Sequence, residues 1–158
     1  MKLLPANNTS LPIMVDDEDF ERLSQFKWTI GAGNGVHRTV NGRGFSKRIA
    51  LANEILRKAR SIMIDHKDRN PLNNQKSNLR ECTRSQNTMN SRKRRNSSSK
   101  YKGVSWHKAS KKWYSRIRLN GKLHVLGLFI NEVDAAKRYD VEATRLFGEF
   151  AHVNSYDT

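Results

Sequence analysis

An Asp-His pair stands at positions 65–66, with Asn78 twelve residues after the histidine and Asn87 nine residues further on. An imidazole with an ordinary pKa of ~6.5 is mostly neutral near pH 7, so His66 is a candidate general base. The carboxylate of Asp65 and the amide of Asn87 offer oxygen, which suits a hard divalent ion better than a nitrogen-seeking one. Phosphodiester hydrolysis calls for such a set. It needs a water activated for in-line attack and a counter-charge for the developing phosphate anion.

Positioning these groups requires a particular order of elements. Ile62–Ile64 reads as a short strand ended by Asp65-His66. The segment KDRNPLNNQKSN is rich in turn formers: Asp68, Asn70-Pro71 and Asn73-Asn74. Asn78–Glu81 reads as a returning strand. Thr83 offers an N-cap and Gln86 completes a capping box, so a helix is expected from about Arg84 to Arg92. Adjacent strand residues point to opposite faces, so Asp65 and His66 share a site only if the strand breaks there.

This strand–loop–strand–helix order, with D-H, N and N at that spacing, resembles the ββα-metal (His-Me finger) motif of HNH nucleases. NPLNNQKSNLR and TRSQNTMN are similar to the HNH homing endonucleases of phage introns, in the H-N-N variant because position 87 is Asn. The resemblance implies His66 as general base, with Asp65 and Asn87 as ligands of one Mg²⁺, replaceable by Mn²⁺, and no zinc. It also implies that Asn78 pins the loop that orients His66, and it leaves Arg84 to contact the scissile phosphate. The products expected are 5′-phosphate and 3′-hydroxyl ends.

Further along, Trp113, Ser115, Ile117 and Leu119 alternate with Tyr114, Arg116 and Arg118, so one face of a strand is basic. Asn120-Gly121 is a two-residue hairpin signal, and Lys122–Phe129 reads as the return. Asn131 then opens a helix with Ala135, Ala136, Tyr139, Ala143, Leu146 and Phe147 in one stripe, stopped by Gly148. YKGV, WYSRIR, LGLF, AAKRYD and GEFAHVN, in that order over residues 101–154, resemble the plant Apetala-two/ethylene-response-factor DNA-binding domain. That resemblance implies a three-stranded sheet laid in the major groove, with Lys102 and Arg118 at DNA-contacting positions. Arg116 stands where that family is usually acidic, and Leu123 and Val125 replace an Arg and a Trp there. Lys122 offers partial compensation.

The charge distribution agrees with a polyanion partner. The 158-residue chain carries 30 Lys+Arg against 15 Asp+Glu, a net +15. Twelve of those cations and no acid lie in residues 91–122, which leaves +3 for the rest. Within that block SRKRRNSSSK, residues 91–100, has no apolar residue and reads as a basic linker. Residues 12–45 read as short strands around one helical stretch (Phe20, Leu23, Phe26), with strands at 27–30 and 36–40 and a turn near Asn41-Gly42. Ser46 then reads as the cap of a helix running to about Lys58. One cysteine, Cys82, excludes an internal disulfide and any multi-Cys zinc site. No apolar run approaches the ~18 residues of a membrane span, and MKLLPANNTS has no secretory pattern.

The expectation is an α+β chain. It comprises an HNH nuclease domain over 1–90 with its ββα core at 62–92, a linker over 91–100, and a three-stranded antiparallel sheet packed on one helix over 101–155. Its expected function is site-specific cleavage of double-stranded DNA by a monomer, one strand per binding event. The expected setting is intracellular, the cytoplasm of a bacterial host of a phage, with no membrane partner. The DNA-binding surface would comprise Arg92, Lys93, Arg94, Arg95, Lys100, Lys102, Tyr114, Arg116, Arg118 and Lys122. The alternatives are a non-catalytic DNA-binding regulator with an HNH-like fold, and an RNA-binding protein using the basic sheet.

Overall fold

The structure is a computed structural model, described here for residues 1–93 and 96–156. It is a mixed α+β chain that divides into two compact units, Met1–Arg84 and Ser85–Thr158.

In the first unit, β1 (Lys2–Leu4) pairs antiparallel with β2 (Ile13–Val15). Next come α1 (Asp17–Ser24) and β3 (Thr29–Ile30). The acidic first turn of α1, Asp17, Glu18 and Asp19, faces the positive end of the helix dipole. β4 (Val36–Gly42) lies between β3 and β5 (Phe45–Ala50), and α2 (Leu51–Ile55) follows. Leu4, Ile13, Val15, Leu23, Trp28, Leu51, Ile55 and Leu79 form one buried cluster. The indole of Trp28 donates to the carbonyl of Leu23 at 2.9 Å, which satisfies its N–H inside that core. The site-bearing pair is β6 (Met63–His66) and β7 (Leu79–Cys82), antiparallel, with Asp65 opposite Arg80 and His66 opposite Leu79.

Two expectations are corrected in this unit. Residues 46–50 are strand, not helix, and the helix begins only at Leu51. Ile49, Ala52, Ile55 and Leu56 do have helical spacing, but six cross-strand pairs with β4 hold 45–50 extended. The hairpin turn also falls two residues later than expected, at Arg43-Gly44, where Gly44 takes a φ of +76° that a side chain would strain.

In the second unit, α3 (Arg84–Asn90) continues from the last residue of the first; it is two residues shorter than expected. β8 (Val104–His107), β9 (Lys112–Leu119) and β10 (Lys122–Phe129) form an antiparallel sheet with β9 central. α4 (Glu132–Phe147) packs across it. Ile117, Tyr139, Ala143 and Phe147 are buried together and Met89 of α3 packs against them. Tyr101, Val104, Ala135 and Ala136 form the companion cluster. The β9–β10 turn is Asn120-Gly121, both residues at positive φ. No described helix is long and apolar enough to cross a membrane.

Candidate active site

The β6–β7 ladder runs through both residues of the Asp-His pair, so the strand does not break before His66. Their side chains therefore leave opposite faces, and each has its own setting. Asp65 is buried, and its Oδ2 accepts from Nε and Nη2 of Arg80 at 2.9 and 2.8 Å. Arg80 sits directly across the ladder, where cross-strand side chains meet. A buried ion pair of this kind costs ~3–5 kcal/mol when one partner is removed.

His66 points into the loop between the strands. Its Nε2 lies 3.2 Å from Oδ1 of Asn74. The identity of that amide atom is settled on its other side, because Asn74 Nδ2 donates to the carbonyl of Pro71 at 2.9 Å. A carbonyl only accepts, so nitrogen faces Pro71 and oxygen faces the ring. His66 must then carry its proton on Nε2, which makes Nδ1 the basic nitrogen. Burial holds the imidazole below its ordinary pKa; the bond to Asn74 and the charges of Asp68 and Asp65 oppose this and are outweighed. The ring is neutral near pH 7, as a general base must be.

Asn74 is itself almost wholly buried, and its position is set from far away in sequence. Its N–H donates to the carbonyl of Met14 at 2.8 Å, and the N–H of Met14 donates to Leu72 at 2.8 Å. Strand β2 therefore clasps the loop. Asp16, just beyond β2, accepts from the N–H of Lys76 at 2.7 Å and from Nε2 of Gln75 at 3.2 Å. Asn78 closes the loop from within. Its Oδ1 accepts from the N–H of Asp68 at 3.0 Å, and its Nδ2 donates to Asp68 Oδ1 at 2.9 Å and to the carbonyl of Asn73 at 2.7 Å. Burial raises the Asp68 carboxyl, but bonds from the Asn70 N–H, Asn73 and Asn78 outweigh it and leave the group below the usual carboxylate range. Asn78 thus fixes residues 68–73, and the loop presents Asn74 to His66.

Asn74 and Arg80 were not legible as site residues. Asn74 reads as a turn former, and Arg80 only as part of the returning strand.

The other expected site residues belong to α3 and the second unit. Arg84 opens α3 and is exposed, and Asn87 is exposed one turn on. Arg92 is exposed, and Lys93 donates to the carbonyl of Ser99 at 3.1 Å. Arg94 and Arg95 lie outside the described residues. Lys102 donates to the carbonyl of Ser91 at 2.7 Å and to that of Met89, so its ammonium caps the end of α3. Arg116 and Arg118 are exposed on the face of β9 opposite the buried Ser115 and Ile117. Arg116 lies 5.6 Å from the centre of the Tyr114 ring, and Arg118 donates to the carbonyl of Gly121 at 2.6 Å. Lys100 and Lys122 are exposed.

Among the described residues no group of three or more His, Cys, Asp or Glu could hold a metal. The motif's oxygens come from one carboxylate and from amides. That donor set does not fit zinc. It fits a hard ion that keeps most of its water and takes its other ligands from phosphate.

A neutral imidazole held by Asn74 and a buried carboxylate paired with Arg80 thus stand at adjacent positions of a strand pair closed by an asparagine-pinned loop. The HNH endonuclease family profile matches residues 61–89, which include Asp65, His66, Asn78 and Asn87. A protein of Acanthamoeba polyphaga mimivirus named as an uncharacterized HNH endonuclease is 36% identical over 137 residues, covering 85% of this chain and 70% of that protein. Protein 3.8 of Escherichia phage T7 is 38% identical over 61 residues, covering 39% of this chain and 50% of its own length. No solved structure matches. This chain belongs to the HNH endonuclease family.

Proposed function

We propose that this chain is a site-specific endonuclease of the homing or phage type that hydrolyses DNA phosphodiester bonds and nicks one strand. The observation that carries the reading is His66, neutral, held in the Nε2–H tautomer by Asn74, with Asp65 as the next residue on the same strand. Nδ1 takes the proton of the attacking water. The family resemblance gives Asp65 and Asn87 as the residues that would hold one divalent ion, Mg²⁺ or Mn²⁺, and such an ion would polarise the phosphate and neutralise developing charge. Arg84 contacts the scissile phosphate as a bidentate donor. A single active site in a monomer cuts one strand per encounter, hence nicking.

The second unit supplies the DNA grip. Its three-stranded sheet presents Tyr114, Arg116, Arg118 and Lys122, and β8–β10 with their turns contain no acid. We read this as a sheet in the major groove, after the Apetala-two/ethylene-response-factor arrangement. The basic segment 91–100 tracks phosphates, and Lys102 steadies the platform through its cap on α3.

The test is supercoiled plasmid with Mg²⁺. Nicked circles should accumulate, EDTA should abolish them, and His66→Ala should lose ~10²–10⁴-fold in rate while still binding DNA. Asn87→Ala should raise the metal concentration required, and Asn87→His should shift preference toward softer ions. A His66→Ala variant that cuts within a few-fold of wild type would remove the assignment. Binding without nicking by the wild type would favour the regulator reading.

A further inference from the structure

The β4–β5 hairpin of the first unit presents more cation to solvent than its place in the fold requires. Its base is part of the core: Val36 is buried, and Arg38 pairs with Glu54 at 3.0 Å and lies 4.1 Å from the centre of the Phe26 ring. Beyond that base, every residue from 41 to 48 is exposed. Arg43 is at the turn, with Lys47 and Arg48 on β5, and none of the three has an ion pair among the described residues. Residues 36–50 contain no Asp or Glu. The tip also carries Phe45, 58% exposed, a costly place for a large apolar side chain that has no task.

The ring is not loose. Gly42 is the register partner of Phe45, and a Cβ added at Gly42 would lie 2.2 Å from the ring. The ring therefore rests on bare backbone that only glycine provides. Phe45 and Lys47 share one face of the ribbon, because strand side chains alternate.

We propose that this hairpin is a second DNA-reading element. The two-stranded ribbon enters the major groove, Arg43, Lys47 and Arg48 meet phosphates, and the Phe45 ring packs on a thymine methyl. The inference rests on the DNA-binding reading above and places a reader on the nuclease unit itself. The major groove, ~12 Å wide, admits a two-stranded ribbon, and apolar side chains such as Phe read the thymine methyl there. The unpaired cations complement the phosphate backbone. Because Gly42 already fixes the ring, docking it loses little side-chain entropy.

The experiment uses the full chain and duplexes selected by it from a random pool, then synthesised with thymine or with uracil, which differ only by the methyl. The wild type should bind the uracil form about four-fold more weakly per methyl read, the discrimination of one buried carbon. Phe45→Ala should bind the thymine form more weakly by a similar factor and show a smaller thymine-to-uracil ratio. Gly42→Ala, which displaces the ring without deleting it, should reproduce that loss. Replacing Arg43, Lys47 and Arg48 by Gln should flatten the slope of log K against log salt by up to ~3. Unchanged thermal melting of Phe45→Ala verifies the fold. An unchanged ratio in Phe45→Ala, or an unchanged salt slope in the triple variant, overturns the proposal while leaving the nuclease reading intact. A wild type that binds no duplex at low salt overturns both.

Discussion

The proton on His66 is placed by an asparagine five residues from the nearest strand end. Replacing Asn74 by Ala removes the acceptor for Nε2–H and leaves the Pro71 carbonyl without its donor. The ring should then populate both tautomers, visible in the imidazole ¹⁵N shifts of His66. Turnover should fall at least ten-fold on saturating DNA with affinity unchanged; a single Nε2–H tautomer in the variant would show that Asn74 does not select it. The acid side of the pH profile follows from the same burial. The folded imidazole releases its proton at a lower pH than the unfolded ~6.5, so cleavage should be level down to about that pH and fall only below it. Stability changes in the same direction. As pH falls through ~6.5 the unfolded chain gains a proton that the folded ring resists, so the contribution of His66 to stability declines in acid. A cleavage midpoint above ~6.5 would contradict this setting. At this scale the sequence singled out His66 and concealed the asparagine that holds it. An Asp-His pair advertises chemistry by type and spacing, whereas an asparagine in a turn-rich loop looks like any turn former until the loop's path is known.

At the scale of elements, the loop between β6 and β7 is held from both ends of the first unit. Asp16→Ala removes two acceptor bonds, to the Lys76 N–H and to Gln75, and should destabilise the unit by about 1.5–3 kcal/mol, the range for hydrogen bonds to a charged group. Amide exchange at residues 74–76 should quicken and cleavage should drop, while DNA affinity stays constant. Exchange as slow as in the wild type would mean that Asp16 does not secure the loop. The β6–loop–β7–α3 order could be read in advance because Met63-Ile64, Asn70-Pro71 and Asn73-Asn74 each carry a local signal. β1 could not, and β2 only as part of a stretch of short strands over 12–45. Three-residue strands have no room for a pattern, and the loop that β2 grips lies far along the sequence, at Leu72 and Asn74. β5 was misread for a related reason: Ile49, Ala52 and Ile55 carry helical spacing, but pairing with β4 decides residues 45–50 before that spacing can act.

For the whole molecule, the proposed reading assigns affinity and chemistry to different residues. The +12 block spans 91–122, while Asp65, His66, Asn74, Asn78 and Arg80 all precede it. Replacing Lys93, Arg94 and Arg95 by Gln should flatten the salt slope of binding by up to ~3 and leave the rate on saturating DNA unaltered. Arg116→Ala and Arg118→Ala should each relax sequence preference by ~1–3 kcal/mol at one position. If both keep full specificity, the sheet is not the reader.

On the proposed reading, the clasp of β2 on the loop also sets when a growing chain would first be able to cut DNA. Met14 and Asn74 are about sixty residues apart, so a nascent chain that has exposed its first strands still lacks the segment they grip. An internal fragment containing only the family-matched residues 61–89 lacks the grip itself. Both would carry the catalytic letters, or be about to, without a fixed histidine. The site would arm only when the returning loop meets a strand that has been waiting for it.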